Sequence, residues 1–258
     1  MKKIILLFLS AILLNAKSLV VLEPSAVEIL LKLGAKDNIL AIAKTQSSKI
    51  EPEYLSKDLD SVGTYIRVNM EKIISLNPDL VLYSHHSLNV EQLDKFNIKR
   101  KSIEANNLED IKQNIKFLAQ ISNKESNGEK LLLEFNNYLS KTKNVIKNKS
   151  AIIVFSANPL MLFCSNNLAN DVINHIGVKN ICTQKEQSPI VNIEYILSSN
   201  PDVIIYFGNK EELIKQYPLL KLSKAYKDNK ILTSNSASLL RASYNITKTI
   251  STLIEQIQ

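Results

Sequence analysis

Two histidines stand side by side, His85 and His86, in a chain of 258 residues that holds only three. Neutral imidazole is a common metal ligand, so this pair can hold a metal ion or a haem iron. Consecutive residues diverge in direction, so one of the two faces any given ligand. Tyr65 lies in the run Gly63-Thr64-Tyr65-Ile66-Arg67. Its phenol can stack on a flat ligand or, as phenolate, bind ferric iron. Arg241, in SLLRASY, can pair with a ligand carboxylate. His175, inside DVINHIG, reads as a structural helix residue. No nucleophile–base–orienter set, phosphate-cradling glycine loop, HExxH or CxxC is present, which favours binding over catalysis.

A repeat places these residues. VNMEKIISLNPDLVLY (68–83) returns as VNIEYILSSNPDVIIY (191–206), 123 positions later (191 − 68), with nine of sixteen residues identical. Each copy reads as a helix capped by Asn69 or Asn192, with Glu71 or Glu194 in its first turn and a stop at NPD. The apolar LVLY or VIIY that follows is the pattern of a buried parallel strand. LLKLGAKDNIL and VINHIGVKNIC both read as helix, glycine stop and strand. Ser25-Ala26-Val27-Glu28 has the spacing of a capping box for the first of these helices. Each half is thus a small α/β unit. Ligands of such units bind beyond the carboxyl ends of the strands. Ser84-His85-His86-Ser87 and Phe207-Gly208-Asn209 follow the two repeat strands, and Ser188 precedes the second copy. Helical periodicity over 107–121 and about 127–147 predicts a stiff strut between the halves.

Met1-Lys2-Lys3, the apolar run 4–14 and Asn15-Ala16 read as a signal peptide over residues 1–16. The net charge is +7, or +5 without Lys2 and Lys3 (7 − 2), and the lysines are scattered as on a solvated surface, so nucleic acid is not an expected partner. Cys164 and Cys182 either form a disulfide or remain two buried thiols.

At TYIRVNMEKIISLNPDLVLY, its second copy, NPLMLFCSNNLANDVINHIGVKNI and LLRASYNITKTI, the chain resembles the periplasmic binding proteins that feed ABC importers of cobalamin, haem and ferric siderophores. The resemblance runs from about Leu19 to the C-terminus. It implies an α/β fold of two small lobes with parallel sheets, 17–122 and 151–258, joined by one long interlobe helix over 123–150. A cleft lies between the lobes, and hinge motion is small. It also implies a monomeric, non-enzymatic periplasmic receptor that delivers a small metal chelate, as cargo and not cofactor, to an inner-membrane permease and its ATPase. Glu71 and Glu194 then match the glutamates that pair with transporter arginines. The expected ligand contacts are Tyr65, Arg67, Ser84, His85, His86, Ser188, Phe207, Arg241 and Tyr244. The cobalamin-binding member lines its cleft with tryptophans, and Tyr65, Ser84 and Ser188 stand at those places here. In haem-binding relatives the iron-ligating tyrosine directly follows a glycine, whereas here Thr64 intervenes. Haem, with Tyr65, His85 or His86 on iron and Arg241 on a propionate, is the expected ligand. Cobalamin, a ferric siderophore and a nickel complex are the alternatives. An exported metal-dependent enzyme using His85 and His86 is the alternative of another class.

Overall fold

A computed structural model of the chain describes residues 17–46, 48–64, 67–84, 87, 89–234 and 236–258. The leader read at 1–16 lies outside them, as do Tyr65, Ile66, His85 and His86. The first half runs β1 (Leu19–Val21), α1 (Pro24–Lys32), β2 (Ile39–Lys44), α2 (Glu53–Ser56), β3 (Ser61–Thr64), α3 (Met70–Leu76), β4 (Leu80–Tyr83) and β5 (Arg100–Ser102). Two longer helices follow, α4 (Leu108–Ile121) and α5 (Glu125–Thr142). The second half runs β6 (Lys149–Ala157), β7 (Leu160–Phe163), α6 (Leu168–His175), β8 (Val178–Asn180), α7 (Ile193–Ser199) and β9 (Val203–Tyr206). It closes with α8 (Lys210–Gln216), α9 (Lys224–Lys227), β10 (Ile231–Thr233), α10 (Ser236–Leu239) and α11 (Ile246–Ile257).

The first sheet has the order β3-β2-β1-β4-β5 and is parallel throughout. The second has the order β10-β9-β6-β7, with β8 also on β6. This sheet is parallel as expected except at β7, which runs antiparallel to β6. Only Asn158-Pro159 joins these strands, and so short a link cannot make the crossover that a parallel neighbour needs.

The two copies of the repeat fold alike to the side chain. Asn69 caps α3 by accepting from the Lys72 amide at 2.9 Å, and Asn192 caps α7 by accepting from the Tyr195 amide at 3.0 Å. Asn77 and Asn200 end these helices in the left-handed region, at φ 44° and 45°. The aspartates of NPD then bind the starts of the central strands. Asp79 accepts from the amide and hydroxyl of Ser18, and Asp202 from those of Ser150, all four at 2.8 Å. Ser18 and Ser150 are therefore equivalent positions at the feet of β1 and β6.

Side chains alternate across both sheets. Leu19, Val21, Leu80 and Leu82 of the first, with Ala151, Ile153, Val203 and Ile205 of the second, enter one central cluster. Ile111, Ile115 and Leu118 of α4, Phe135 of α5 and Ile250 of α11 fill it. The outer faces carry separate clusters, around Val20 and Val81 in one lobe and around Ile152 and Ile204 in the other. The helix expected over about 127–147 is α5, about 27 Å long at 1.5 Å per residue. It ends earlier than expected because Asn144 turns left-handed, at φ 54°, and its amide binds the His175 carbonyl. α4 lies against it, and a Cβ on Gly128 would come within 2.5 Å of the Ala119 Cβ, so only glycine permits this approach. The Leu108 amide reaches Asp171 of α6 at 2.8 Å, tying the helix pair to the second lobe.

The capping box read at Ser25–Glu28 is not formed. Glu23 caps α1, Pro24 opens it, and Glu28 is buried facing the other way.

Candidate functional site between the lobes

The carboxyl ends of the strands open into a pocket of about 350 Å³ between the lobes, within the usual range for small-molecule sites. From the first lobe come Glu23 and Ser25 after β1, Ser84 after β4, and Glu104 and Asn106 after β5. From the second come Phe155 of β6, Phe163 of β7, Asn167 at the start of α6, and Gln187 with Ser188. Apolar side chains, Ile103, Leu168 and Leu240 among them, fill the rest of the lining.

Helix starts face the pocket from both sides. The Glu23 carboxylate accepts from the Ser25 amide at 3.3 Å and its hydroxyl at 2.9 Å. Asn167, buried, accepts from the Asn170 amide at 2.9 Å and donates to the Ser165 carbonyl at 2.8 Å. The Ser188 segment is held along β7. The Leu162 amide binds the Pro189 carbonyl at 3.1 Å, and the Cys164 amide binds the Gln187 carbonyl at 3.0 Å. Cys164 and Cys182 form a disulfide, which settles the open choice and ties the start of this segment to the residue after β7.

Of the expected contacts, Ser84 and Ser188 line the pocket. Phe207 stands behind it, edge-on to Phe163 at 5.9 Å and Phe155 at 6.5 Å between ring centroids. Arg67 is exposed in a tight turn, with its amide on the Thr64 carbonyl at 3.0 Å. Gly63 allows that turn at φ +104°, where a Cβ would lie 2.4 Å from the Arg67 carbonyl oxygen. Tyr65, His85 and His86 lie outside the described residues. Among the described residues, no group of three or more His, Cys, Asp or Glu side chains is placed to hold a metal.

Arg241 and Tyr244 correct the sequence reading. Arg241 does not line this pocket. Its Nη1 binds the Glu28 carboxylate at 2.9 Å and its Nη2 the Ser48 hydroxyl at 2.6 Å. This partly buried guanidinium is thus paired within the protein, away from the interlobe pocket where a propionate was expected. Tyr244 packs against the central apolar cluster near the end of α1, with Lys32 Nζ 5.5 Å from its ring centre, and burial raises its phenol pKa. Glu71 and Glu194 are exposed on the first turns of α3 and α7.

Phe155, Phe163, Glu23 and Asn167 were missed. The adjacent run after β7 and the cap position of α1 offered a signal for the last two. A bulge and a hairpin partner, which place the phenylalanines, have none in a single strand's sequence.

A family model described as periplasmic binding protein matches residues 19–237. The vitamin B12-binding protein of Vibrio campbellii is 29% identical over 196 residues, covering 73% of this chain and 70% of that protein. The ferric-anguibactin-binding protein FatB of Vibrio anguillarum is 26% identical over 224 residues, covering 76% and 69%. Among solved structures, the periplasmic heme-binding protein RhuT of Roseiflexus sp. RS-1 superposes with a TM-score of 0.79 at 20% identity, over 94% of this chain and 98% of that one. The periplasmic vitamin B12 binding protein BtuF of Vibrio cholerae gives 0.71 at 18%, over 94% and 97%.

Proposed function

The chain belongs to the periplasmic binding protein family, and from that membership we propose that it captures a metal-centred chelate, haem foremost, and hands it to an ABC importer. In this reading residues 1–16 direct export to the periplasm and are removed, and the chain binds without catalysing. Its partners are an inner-membrane permease and the ATPase that drives it. Glu71 and Glu194, exposed at matching places on the two lobes, dock on the permease.

One observation carries the haem reading. Ser84 is buried in the wall of the interlobe pocket, and the chain runs on from it directly into His85-His86. The sequence thus supplies an iron ligand, His85 or His86, directly after a pocket residue, and Tyr65 is the second in this reading. Titration of the purified chain with hemin, read at the Soret band, tests this. A saturable ferric spectrum is expected, and Tyr65→Ala abolishes it. No saturable change sinks the haem reading.

A different observation supports a corrinoid as the second reading. The described lining holds amides, hydroxyls and carboxylates but no lysine or arginine. That suits a ligand fringed with neutral amides better than one with two carboxylates. Saturable binding of cyanocobalamin, in the absence of hemin binding, decides for it.

A further inference from the structure

The two walls of the pocket differ at one pair of equivalent positions. Ser18 and Ser150 are matched through their aspartates. Counting five residues on from each places Glu23 of the first lobe opposite Phe155 of the second. Phe155 reaches the pocket through a β-bulge. On the β6–β7 ladder Val154 pairs with Leu162 and Ser156 with Met161, which leaves Phe155 as the extra residue. A bulge of this kind turns a side chain out of the ladder, and bulges concentrate beside sites. The ring stacks on Phe163, with centroids 4.6 Å apart and planes at 28°. Phe155 itself is 38% exposed, whereas Ala151 to Val154 before it in β6 are fully covered.

We propose that Phe155 is a stacking platform for a flat, conjugated macrocycle face, and that Glu23 keeps the ligand's carboxylates off the opposite wall. This rests on the tetrapyrrole reading above and goes further by fixing how the ligand lies. The outward face of Phe155 has the shape and polarisability of a ring-stacking surface. A second carboxylate brought up to Glu23 in a partly dry pocket is repelled, so the anionic edge turns to the mouth.

The test measures dissociation constants of hemin and of metal-free protoporphyrin IX for wild type, Phe155→Ala, Phe155→Leu and Phe155→Tyr, with circular dichroism melts as the folding control. Alanine and leucine are expected to weaken both porphyrins tenfold or more, and tyrosine to stay within threefold of wild type. Leucine keeps apolar bulk but has no ring face, so it separates stacking from filling. Alanine within threefold of wild type, or leucine equal to wild type, overturns the platform. Glu23→Gln reads the other wall: hemin binds it threefold or more tighter, and a looser complex overturns the orientation. If wild type binds neither porphyrin but binds cyanocobalamin, the haem reading fails. The platform is then judged on cyanocobalamin, by the same tenfold criterion for Phe155→Ala.

Discussion

Glu28 and Arg241, 213 positions apart, meet at 2.9 Å with 2% and 12% of their side chains exposed. The same carboxylate accepts from the Ser243 hydroxyl, from Asn245 Nδ2 at 3.1 Å and from the Glu51 amide at 3.2 Å. The C-terminal segment is thereby fastened to α1 of the first lobe. Removing one partner leaves a buried charge without compensation. Arg241→Ala is expected to lower stability by about 3–5 kcal/mol, read as a shift in the urea midpoint. The double variant Glu28→Gln/Arg241→Ala loses less than the sum of the two single changes. Additive losses would refute the coupling.

The aspartate of the second NPD supports β6 in a pH-dependent way. Burial raises the Asp202 pKa, but Lys224 and the hydroxyl and amide of Ser150 outweigh it and draw it down to about 2. A folded pKa below the unfolded value of about 3.9 means that stability is present above that pH. It is lost as pH falls towards 2. Asp202→Asn should cost about 1–2 kcal/mol at pH 7 and flatten the decline in stability below pH 4. An unchanged acid limb would count against this role.

His175 acts in the opposite range. Burial, above all, lowers its pKa, and its Nε2 lies 3.1 Å from the Thr142 hydroxyl at the end of α5. As pH falls through about 6.5, the unfolded chain takes up this proton before the folded one does. Stability is therefore full above that pH and declines below it. His175→Gln should remove part of the loss between pH 7.5 and 5.5, measured by thermal melting. A variant with the same slope as wild type would show that other groups carry it.

Among the described residues, every non-glycine residue with positive φ is an asparagine. In a chain with five glycines, asparagine supplies the left-handed turns, because its short amide tolerates that region best after glycine. Asn200→Ala should cost about 1–2 kcal/mol, whereas Asn200→Gly should stay within about 0.5 kcal/mol. Equal losses for the two would exclude backbone strain as the cause.

Docking is tested apart from binding. Glu71→Arg and Glu194→Arg are each expected to reduce uptake in cells or vesicles that carry the cognate importer, with the ligand dissociation constant unchanged. A weakened dissociation constant would move these residues into the ligand site.

The sequence was a good guide wherever structure is local. The caps Asn69 and Asn192, the stops at NPD and the strands Leu80–Tyr83 and Val203–Tyr206 all depend on residues within a turn of one another. It misled at Glu28, where the spacing of a capping box is met but the partners are Glu51 and, more than two hundred residues away, Arg241, Ser243 and Asn245. Arg241 failed for the same reason. Phe155 was illegible because a bulge exists only relative to a partner strand. Ser84 and Ser188 were found because both flank the duplicated segments, whose strand ends fix the pocket.

A duplicated sequence suggests halves that can be cut apart, and the central cluster argues otherwise. The inner faces of the two sheets share part of their cover, with Ile111, Phe135 and Ile250 in the same apolar mass as Leu82 and Ile205. α1 and α6 add cover within each half, but a fragment ending before α4 would still expose the part of that face packed by Ile111, Ile115 and Phe135. The two lobes should then melt in one cooperative transition, with a calorimetric enthalpy that matches the van't Hoff value. What was doubled as sequence survives as one unit of unfolding.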